Sequence, residues 1–319
     1  MAVPPLDPDA AARAASFGPV PPMRQRGLSA VREAIESAPL PPDMPEMAVD
    51  EREASGGIPL RIYRPTRDVT APVVVYFHGG GMVLGSNHSF EPLARELAAA
   101  SGATVIAVDY RLAPEHPAPA QFDDAYRATE WVGDHAAELD VDPTRLAVAG
   151  DSAGGALGAA VALAARDNDG PVISCQVLLY PGLDRDMGAK SITSMPDAPM
   201  LSLDDIIFMH DLADGSAGTP HEAYRVPAYA ADVAGLPPAI VVTAECDPIR
   251  DWGERYAARL RDAGVQTTLT RYPGMYHGFL MRSDATARGR LAIAEVGALL
   301  RAKFAHPVPF NGHWAAATH

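Results

Sequence analysis

The sequence predicts an α/β fold, a mainly parallel sheet of eight strands covered by helices on both faces. Three observations carry that expectation. Short apolar runs alternate with longer helical periods from residue 73 onward, the pattern of strands joined by crossover helices. The run Val73-Val74-Val75-Tyr76-Phe77 is apolar throughout, as a strand buried on both sides must be. Glycine-rich turns follow directly after two of the runs, at Gly79–Gly81 and at Gly150–Gly155.

The elements follow in order. Residues 1–45 are rich in Ala and Pro, with one amphipathic helical segment near Leu28–Ser37, closed off by Pro39, Pro41, Pro42 and Pro45. Extended runs are expected at 46–54, 59–65 and 73–77. A helix over about Ser89–Ala100 leads to the strand Ala103–Val108, and one over about Gln121–Leu139 leads to Leu146–Ala149. Then come a small-residue helix from Ala156, the strands Cys175–Tyr180 and Ala239–Glu245, and a helix over Pro248–Ala263. The strand Thr267–Tyr272 and a last helix, about Ala285–Ala305, finish the pattern.

The alternation breaks once, between Gly182 and Pro238. That stretch carries Met187, Met195, Met200 and Met209, and a helix is expected to start at the cap Ser202. A long interruption between two sheet strands reads as an insertion over the edge where chemistry sits. The organisation expected is therefore an N-terminal segment (1–45), a catalytic domain (46–182 and 226–319) and an insertion (183–225). The tail after Pro307 is expected to be poorly ordered.

Composition narrows the function classes. The chain has 319 residues and a net charge of −14, with 48% hydrophobic and 21% charged residues, so it can bury a large core. Such acidity repels phosphate backbones and anionic membranes, which argues against nucleic acid as a partner. No apolar run of membrane-spanning length and no signal-peptide pattern is present, so a cytoplasmic protein without membrane insertion is expected. Cys175 and Cys246 lie in strand-like runs and read as buried free thiols. They are too few for a zinc site, and neither metal nor cofactor is expected.

The chemistry-bearing motif is Gly150-Asp151-Ser152-Ala153-Gly154-Gly155, between the strand Leu146–Ala149 and a helix. Strand, sharp turn and helix in that order form a nucleophile elbow, with Gly150 and Gly154 leaving room around Ser152. On its own Ser152 could equally cap the helix. Gly215-Ser216-Ala217-Gly218 looks similar, but Asp214 replaces the first glycine and no strand leads in, so it reads as a loop.

A serine hydroxyl needs a base to take its proton and an acid to orient that base. After an elbow the expected order is acid, then histidine, each just past a strand. Asp247 follows Ile240-Val241-Val242-Thr243-Ala244-Glu245, and His277 follows the strand at 267–272. Asp247 before Pro248 could also be a helix cap, and His277 beside Gly278 a turn residue. Glu245 and Asp251 are alternative acids. His78-Gly79-Gly80-Gly81 directly follows the strand at 73–77, and consecutive glycines let backbone N–H groups converge on one anion. With the N–H of Ala153 they form a candidate oxyanion hole.

Together these residues resemble the hormone-sensitive-lipase-like (bacterial type IV) carboxylesterases of the α/β-hydrolase fold. The resemblance covers roughly residues 60–285. It rests on His78–Gly81, on Asp109-Tyr110-Arg111-Leu112-Ala113-Pro114-Glu115-His116-Pro117, on the elbow, on Asp247-Pro248-Ile249-Arg250-Asp251 and on His277-Gly278-Phe279. It implies a triad of Ser152, Asp247 and His277, with oxyanion donors at Gly80, Gly81 and Ala153. His78 and Gly79 would shape the loop. It further implies a helical cap built from the N-terminal segment and the insertion, a small-molecule ester of short acyl chain as substrate, and a homodimer. Arg111 and Glu115 are taken as an ion pair bracing the site wall. Trp252 departs from the acidic residue often found there in the family.

Two other functions share this architecture. An amidase or formamidase would use the same triad, and sequence does not separate it from an esterase. A non-catalytic receptor, similar to the plant gibberellin receptors, would lack the histidine that this chain retains at His277. No long amphipathic lid marks a lipase working at lipid interfaces.

Overall fold

The computed structural model describes residues 3–66, 70–214 and 222–307. In chain order it begins with α1 (Pro8–Ser16), α2 (Met23–Arg26), α3 (Leu28–Glu36), β1 (Ala48–Ala54), β2 (Ile58–Arg64) and β3 (Ala71–Phe77). Then follow α4 (Glu91–Ser101), β4 (Thr104–Val108), α5 (Ala120–Asp134), β5 (Val141–Asp151), α6 (Ala153–Asp167) and β6 (Cys175–Leu179). The remainder is α7 (Lys190–Ser194), α8 (Leu203–Asp214), α9 (Glu222–Arg225), β7 (Ala239–Cys246), α10 (Arg250–Asp262), β8 (Thr267–Tyr276) and α11 (Ala287–Ala305). Short 3₁₀ turns cover Pro227–Tyr229 and Phe279–Ala285.

The eight strands form one sheet in the order β1-β2-β4-β3-β5-β6-β7-β8. β2 runs antiparallel to both its neighbours, and every other pairing is parallel. From the central β3 the chain first moves out to β4, then crosses to β5 on the other side. The loops after β3 and β5 therefore open apart at the carboxyl end of the sheet, and a crevice forms between them.

Alternation along each strand divides the core into two layers. Val73, Val75 and Phe77 face the cluster with α5, α6 and α10, whereas Val74 and Tyr76 face the cluster with α4 and α11. α6 is built of Ala, Gly, Leu and Val from Ala153 to Ala165, all of them buried, so a small-residue helix packs close against the sheet.

Three boundaries differ from the sequence expectation for physical reasons. β5 begins at Val141, because Val141 and Asp142 pair with Ala71 and Pro72 before the register shifts. The Asp142 carboxylate there accepts the Thr144 N–H at 2.9 Å, a local turn interrupting the strand. β8 runs through Pro273 and Gly274 to Tyr276, with Cys246 and Tyr276 paired across a bulge. α10 starts at Arg250 because the Asp247 carboxylate accepts the Ile249 N–H at 2.9 Å and holds Pro248 in the turn.

The expected Arg111–Glu115 pair does not form. Arg111 makes a fork onto Asp124 of α5 at 2.8 and 2.8 Å, with the Arg111 N–H adding a third bond at 3.0 Å. Glu115 takes a fork from Arg32 of α3 at 2.7 and 2.9 Å. A planar guanidinium binds a carboxylate best side-on, and each residue finds such a partner on a different helix.

The chain between β6 and β7 carries α7, α8 and α9, packed over the carboxyl end of the sheet. Ser202 caps α8 as expected, its hydroxyl accepting the Asp205 N–H at 3.1 Å while donating to the Asp205 carboxylate at 2.7 Å. α2 lies on α8, where the Met23 N–H donates to Asp205 at 2.7 Å and Arg24 pairs with Asp211 at 3.1 Å. The Gly215–Gly218 loop and the tail after 307 lie outside the described residues. Among the described residues no helix is long and apolar enough to cross a membrane.

Candidate active site

Ser152 sits at the tip between β5 and α6 with φ 52° and ψ −116°, a backbone conformation that non-glycine residues rarely adopt. Three bonds hold it there. Its N–H donates to the Leu179 carbonyl at 2.8 Å, and its carbonyl accepts from Gly182 at 2.9 Å and from Ala156 at 3.3 Å. The approach of backbones is very close at Gly154, where an added Cβ would lie 1.9 Å from the Phe77 carbonyl oxygen. Ser152 caps nothing with its side chain, so its hydroxyl remains for another partner.

That partner is His277, whose Nε2 lies 2.9 Å from Ser152 Oγ. On the other side of the ring, Nδ1 lies 2.8 Å from Asp247 Oδ2. Asp247 is wholly buried, and its second oxygen accepts the Ile249 N–H. The three sequence candidates, more than a hundred residues apart at the extremes, are thus brought into one hydrogen-bonded line. The alternative acids are engaged elsewhere: Glu245 accepts the Gly274 N–H at 2.8 Å, and Asp251 binds the Ser191 N–H and Arg250.

The glycine loop reaches the same point from β3. The Gly79 N–H is consumed by Asp151 at 2.9 Å, so it has no proton left for a ligand. Gly80 has φ 105°, with a tight turn behind it in which the Val83 and Leu84 N–H groups donate to its carbonyl at 3.0 and 2.9 Å. The N–H groups of Gly80 and Gly81 have no acceptor among the described residues. Ala153 N–H belongs to the first turn of α6, where no intrahelical acceptor exists. His78 is buried in a stack between Tyr110 and Phe90, with ring centroids 4.3 and 5.2 Å away. Burial lowers its pKa and keeps the ring neutral. Tyr110 of the long motif donates its hydroxyl to the His78 carbonyl at 2.7 Å, tying that motif to the loop.

Two participants escaped the sequence reading. Asp151, inside the elbow motif, has one oxygen accepting both the Tyr76 hydroxyl at 2.6 Å and the Gly79 N–H. It links elbow, central strand and glycine loop through a single buried atom. Burial pushes its pKa up to about 6, against those hydrogen bonds. Its place in the motif was visible, but its partner Tyr76 carries no pattern that marks it. The insertion was expected to cover this edge, but the side chains with which α8 walls the cavity, the second participant, were not identified. A cavity of about 50 Å³ is lined by Ser152, Ala153 and Gly81 together with Leu201, Ile206, Met209, His210, Arg185 and Trp252. A second cavity of about 160 Å³ shares Met82, Ala156, Arg185, Ala213 and Arg225 with the first. Trp252, where an acidic residue is common in the family, instead donates its indole N–H to the Asp186 carbonyl at 3.1 Å. The wider cleft of about 760 Å³ near Trp131 and Pro143 lies at the opposite end of the sheet and touches none of the triad.

Comparison with known proteins identifies the fold and the family. A family model described as the alpha/beta hydrolase fold matches residues 74–281. Carboxylesterase NlhH of Mycobacterium tuberculosis (strain ATCC 25618 / H37Rv) is 42% identical over 284 residues, covering 84% of this chain and 89% of the relative. Esterase LipI of the same strain is 38% identical over 284 residues, covering 85% and 89%. Among solved structures, an esterase from Pyrobaculum calidifontis superposes with a TM-score of 0.82 at 36% identity, covering 93% of this chain and 99% of that one. The chain belongs to the α/β-hydrolase fold family, in its hormone-sensitive-lipase-like branch of esterases.

Proposed function

We propose that the protein is a serine carboxylesterase that hydrolyses short-chain acyl esters through Ser152, His277 and Asp247. The observation that carries this is the hydrogen-bonded line Ser152 Oγ–His277 Nε2–His277 Nδ1–Asp247 Oδ2, at 2.9 and 2.8 Å, beside a small cavity. The esterase activities named for the relatives support ester over amide substrates.

In the first half-reaction Nε2 of neutral His277 takes the Ser152 proton as Oγ attacks the ester carbonyl carbon. Asp247 accepts Nδ1–H, which fixes the tautomer and stabilises the imidazolium that forms. The carbonyl π electrons move onto oxygen, and the N–H groups of Gly80, Gly81 and Ala153 receive that oxyanion. A pre-aimed donor of this kind contributes about 3 kcal/mol to the transition state. Collapse breaks the bond to the alkoxy oxygen, which leaves with the His277 proton as an alcohol. Water then repeats the sequence on the acyl-enzyme and releases the acid.

Residues 1–45 and 183–225 act as a cap over the catalytic domain formed by 46–182 and 226–319. Met209 of α8 supports this role, since its Sδ would lie 2.2 Å from a Cβ on Gly81. The roughly 50 Å³ of space by Ser152 admits an acyl chain of only a few carbons before it must enter the neighbouring cavity.

The test is pre-steady-state hydrolysis of p-nitrophenyl acetate. A burst of p-nitrophenol equal to the enzyme concentration is expected, and Ser152→Ala is expected to abolish burst and turnover while melting normally. Retained turnover in that variant overturns the assignment.

A further inference from the structure

Beside the candidate nucleophile lies a charged cluster that ester hydrolysis as such does not need. Arg185 and His210 line the same cavity as Ser152, in a chain whose net charge is −14. Asp214, at the end of α8, is already held by Arg225 of α9 at 3.1 and 2.6 Å through both carboxylate oxygens. Arg185 adds only one further bond to it, from Nη2 at 3.1 Å. Two guanidinium groups thus share one carboxylate, and one positive charge is left over.

The remaining donors of Arg185 show where that charge is under-used. Nη1 donates to His210 Nε2 at 2.5 Å, which makes that nitrogen the acceptor and leaves the proton on Nδ1. Burial and the nearby guanidinium groups hold the His210 pKa at about 3, so the ring is neutral. His210 Nδ1 and Arg185 Nε are both buried without a hydrogen-bond partner among the described residues. Unmatched buried donors are costly, and they cluster where a ligand supplies the acceptor. The nearby acids do not fill that need: Asp186 pairs with Arg255 at 2.8 Å, and Asp184 accepts backbone N–H groups at 2.7 and 3.1 Å. The rest of the cavity wall is apolar, from Leu201, Ile206, Ile249 and Trp252.

We propose that Arg185, assisted by His210, is a specificity-determining residue that binds a carboxylate on the substrate, so that the preferred substrates are short esters bearing a second, anionic acid group. This rests on the esterase assignment above. A carboxylate would supply the missing acceptors with charge-assisted bonds, and the surplus positive charge would be neutralised. A neutral chain of the same shape fills the space but leaves both donors unmatched, which is the situation that gives strong discrimination.

The experiment compares isosteric ester pairs. Monoethyl succinate is set against ethyl 4-methylpentanoate, which differ on the acyl half, and acetoxyacetate against isobutyl acetate, which differ on the alcohol half. The ratio of kcat/KM, anionic over neutral, is expected to fall about tenfold in Arg185→Met relative to the wild type in at least one pair. A fall of less than threefold in both pairs overturns the proposal. If the variant does not fold, competition in the wild type decides. Succinate is expected to inhibit p-nitrophenyl acetate hydrolysis competitively with a Ki at least threefold below that of succinamide, and an equal or higher Ki overturns the proposal. The two assignments fail separately: absence of p-nitrophenyl acetate turnover, or turnover retained in Ser152→Ala, overturns the esterase reading, whereas Ser152-dependent turnover with unchanged ratios overturns only the carboxylate preference.

Discussion

Asp247 faces two ways, with one oxygen on His277 and the other on the Ile249 N–H. Its cap-like place before Pro248 and its contact with His277 are therefore one arrangement rather than rivals. Asp247→Asn keeps an acceptor for Ile249 but turns an amide NH₂ toward Nδ1, favouring the wrong imidazole tautomer. The expected loss in kcat is on the order of 10³–10⁴ with little change in Tm, read by steady-state kinetics beside a melting curve.

Asp151 makes a different prediction. A buried carboxyl with its pKa raised to about 6 contributes stability when protonated, and loses that contribution as pH rises through 6. Asp151→Asn preserves an acceptor for Tyr76 and Gly79 without the titration. Relative to wild type, the variant should gain about 2 kcal/mol between pH 4.5 and pH 7.5 in denaturant unfolding. A stability difference independent of pH over that range would show that the carboxyl stays ionised. At this scale the sequence was informative about placement, since Ser152, Asp247 and His277 do come together in one hydrogen-bonded line. It was silent on Tyr76, Arg185 and His210, because a side chain's partner across the fold leaves no local periodicity.

At the scale of elements, the elbow depends on contact between α6 and the end of β3. Gly154→Ala would push a methyl into the Phe77 carbonyl at 1.9 Å. Neither backbone can move without shifting the central strand, so loss of more than 3 kcal/mol, or failure to fold, is expected from thermal melts. α3 is fastened in part through Arg32, which donates to the Val83 carbonyl at 2.8 Å and the Ala113 carbonyl at 2.7 Å besides its fork on Glu115. Arg32→Met leaves both carbonyls without that donor, and a cost of about 1–3 kcal/mol is expected in denaturant unfolding. An unchanged midpoint would mean that apolar packing and the bonds of Glu36 to Ser86 and Ser89 hold the helix without Arg32. The strands were legible because continuous apolar runs are forced by burial on both faces. α1 was not identified, although Asp7-Pro8 is a serviceable start signal, because the segment is short and its apolar positions are all small alanines. β5 looked short because Asp142-Pro143 resembles a turn, and locally it is one.

At the scale of the whole molecule, Asp7 and Asp9 are bound to β8 and α11, far later in the chain. The Asp7 N–H donates to the Gly274 carbonyl at 3.0 Å, Asp7 pairs with Arg288 at 2.6 Å, and Asp9 accepts the Ala287 N–H at 2.7 Å. The same segment covers Cys246, whose Sγ lies 3.4 Å from the Pro4 carbonyl oxygen. Both thiols are buried and free, with burial pushing Cys246 up to about 11 and Cys175 up to about 12. A thiol-specific disulfide reagent is thus expected to find no reactive group in the native protein at pH 8. In mild denaturant Cys246 is expected to react before Cys175, as judged by comparing Cys246→Ser with wild type. Simultaneous reaction would mean that the N-terminal segment comes away only with global unfolding.

The bond between Asp7 and Gly274 also bears on how the chain is made. Gly274 lies three residues before His277, so the strand end that carries the histidine is braced by Asp7, a residue far earlier in the chain. On the ribosome Asp7 emerges long before β8 exists, so it cannot dock there until β8 has been made. Ser152 likewise leaves the ribosome 125 residues ahead of His277, and the two are brought together only once β8 has joined the sheet.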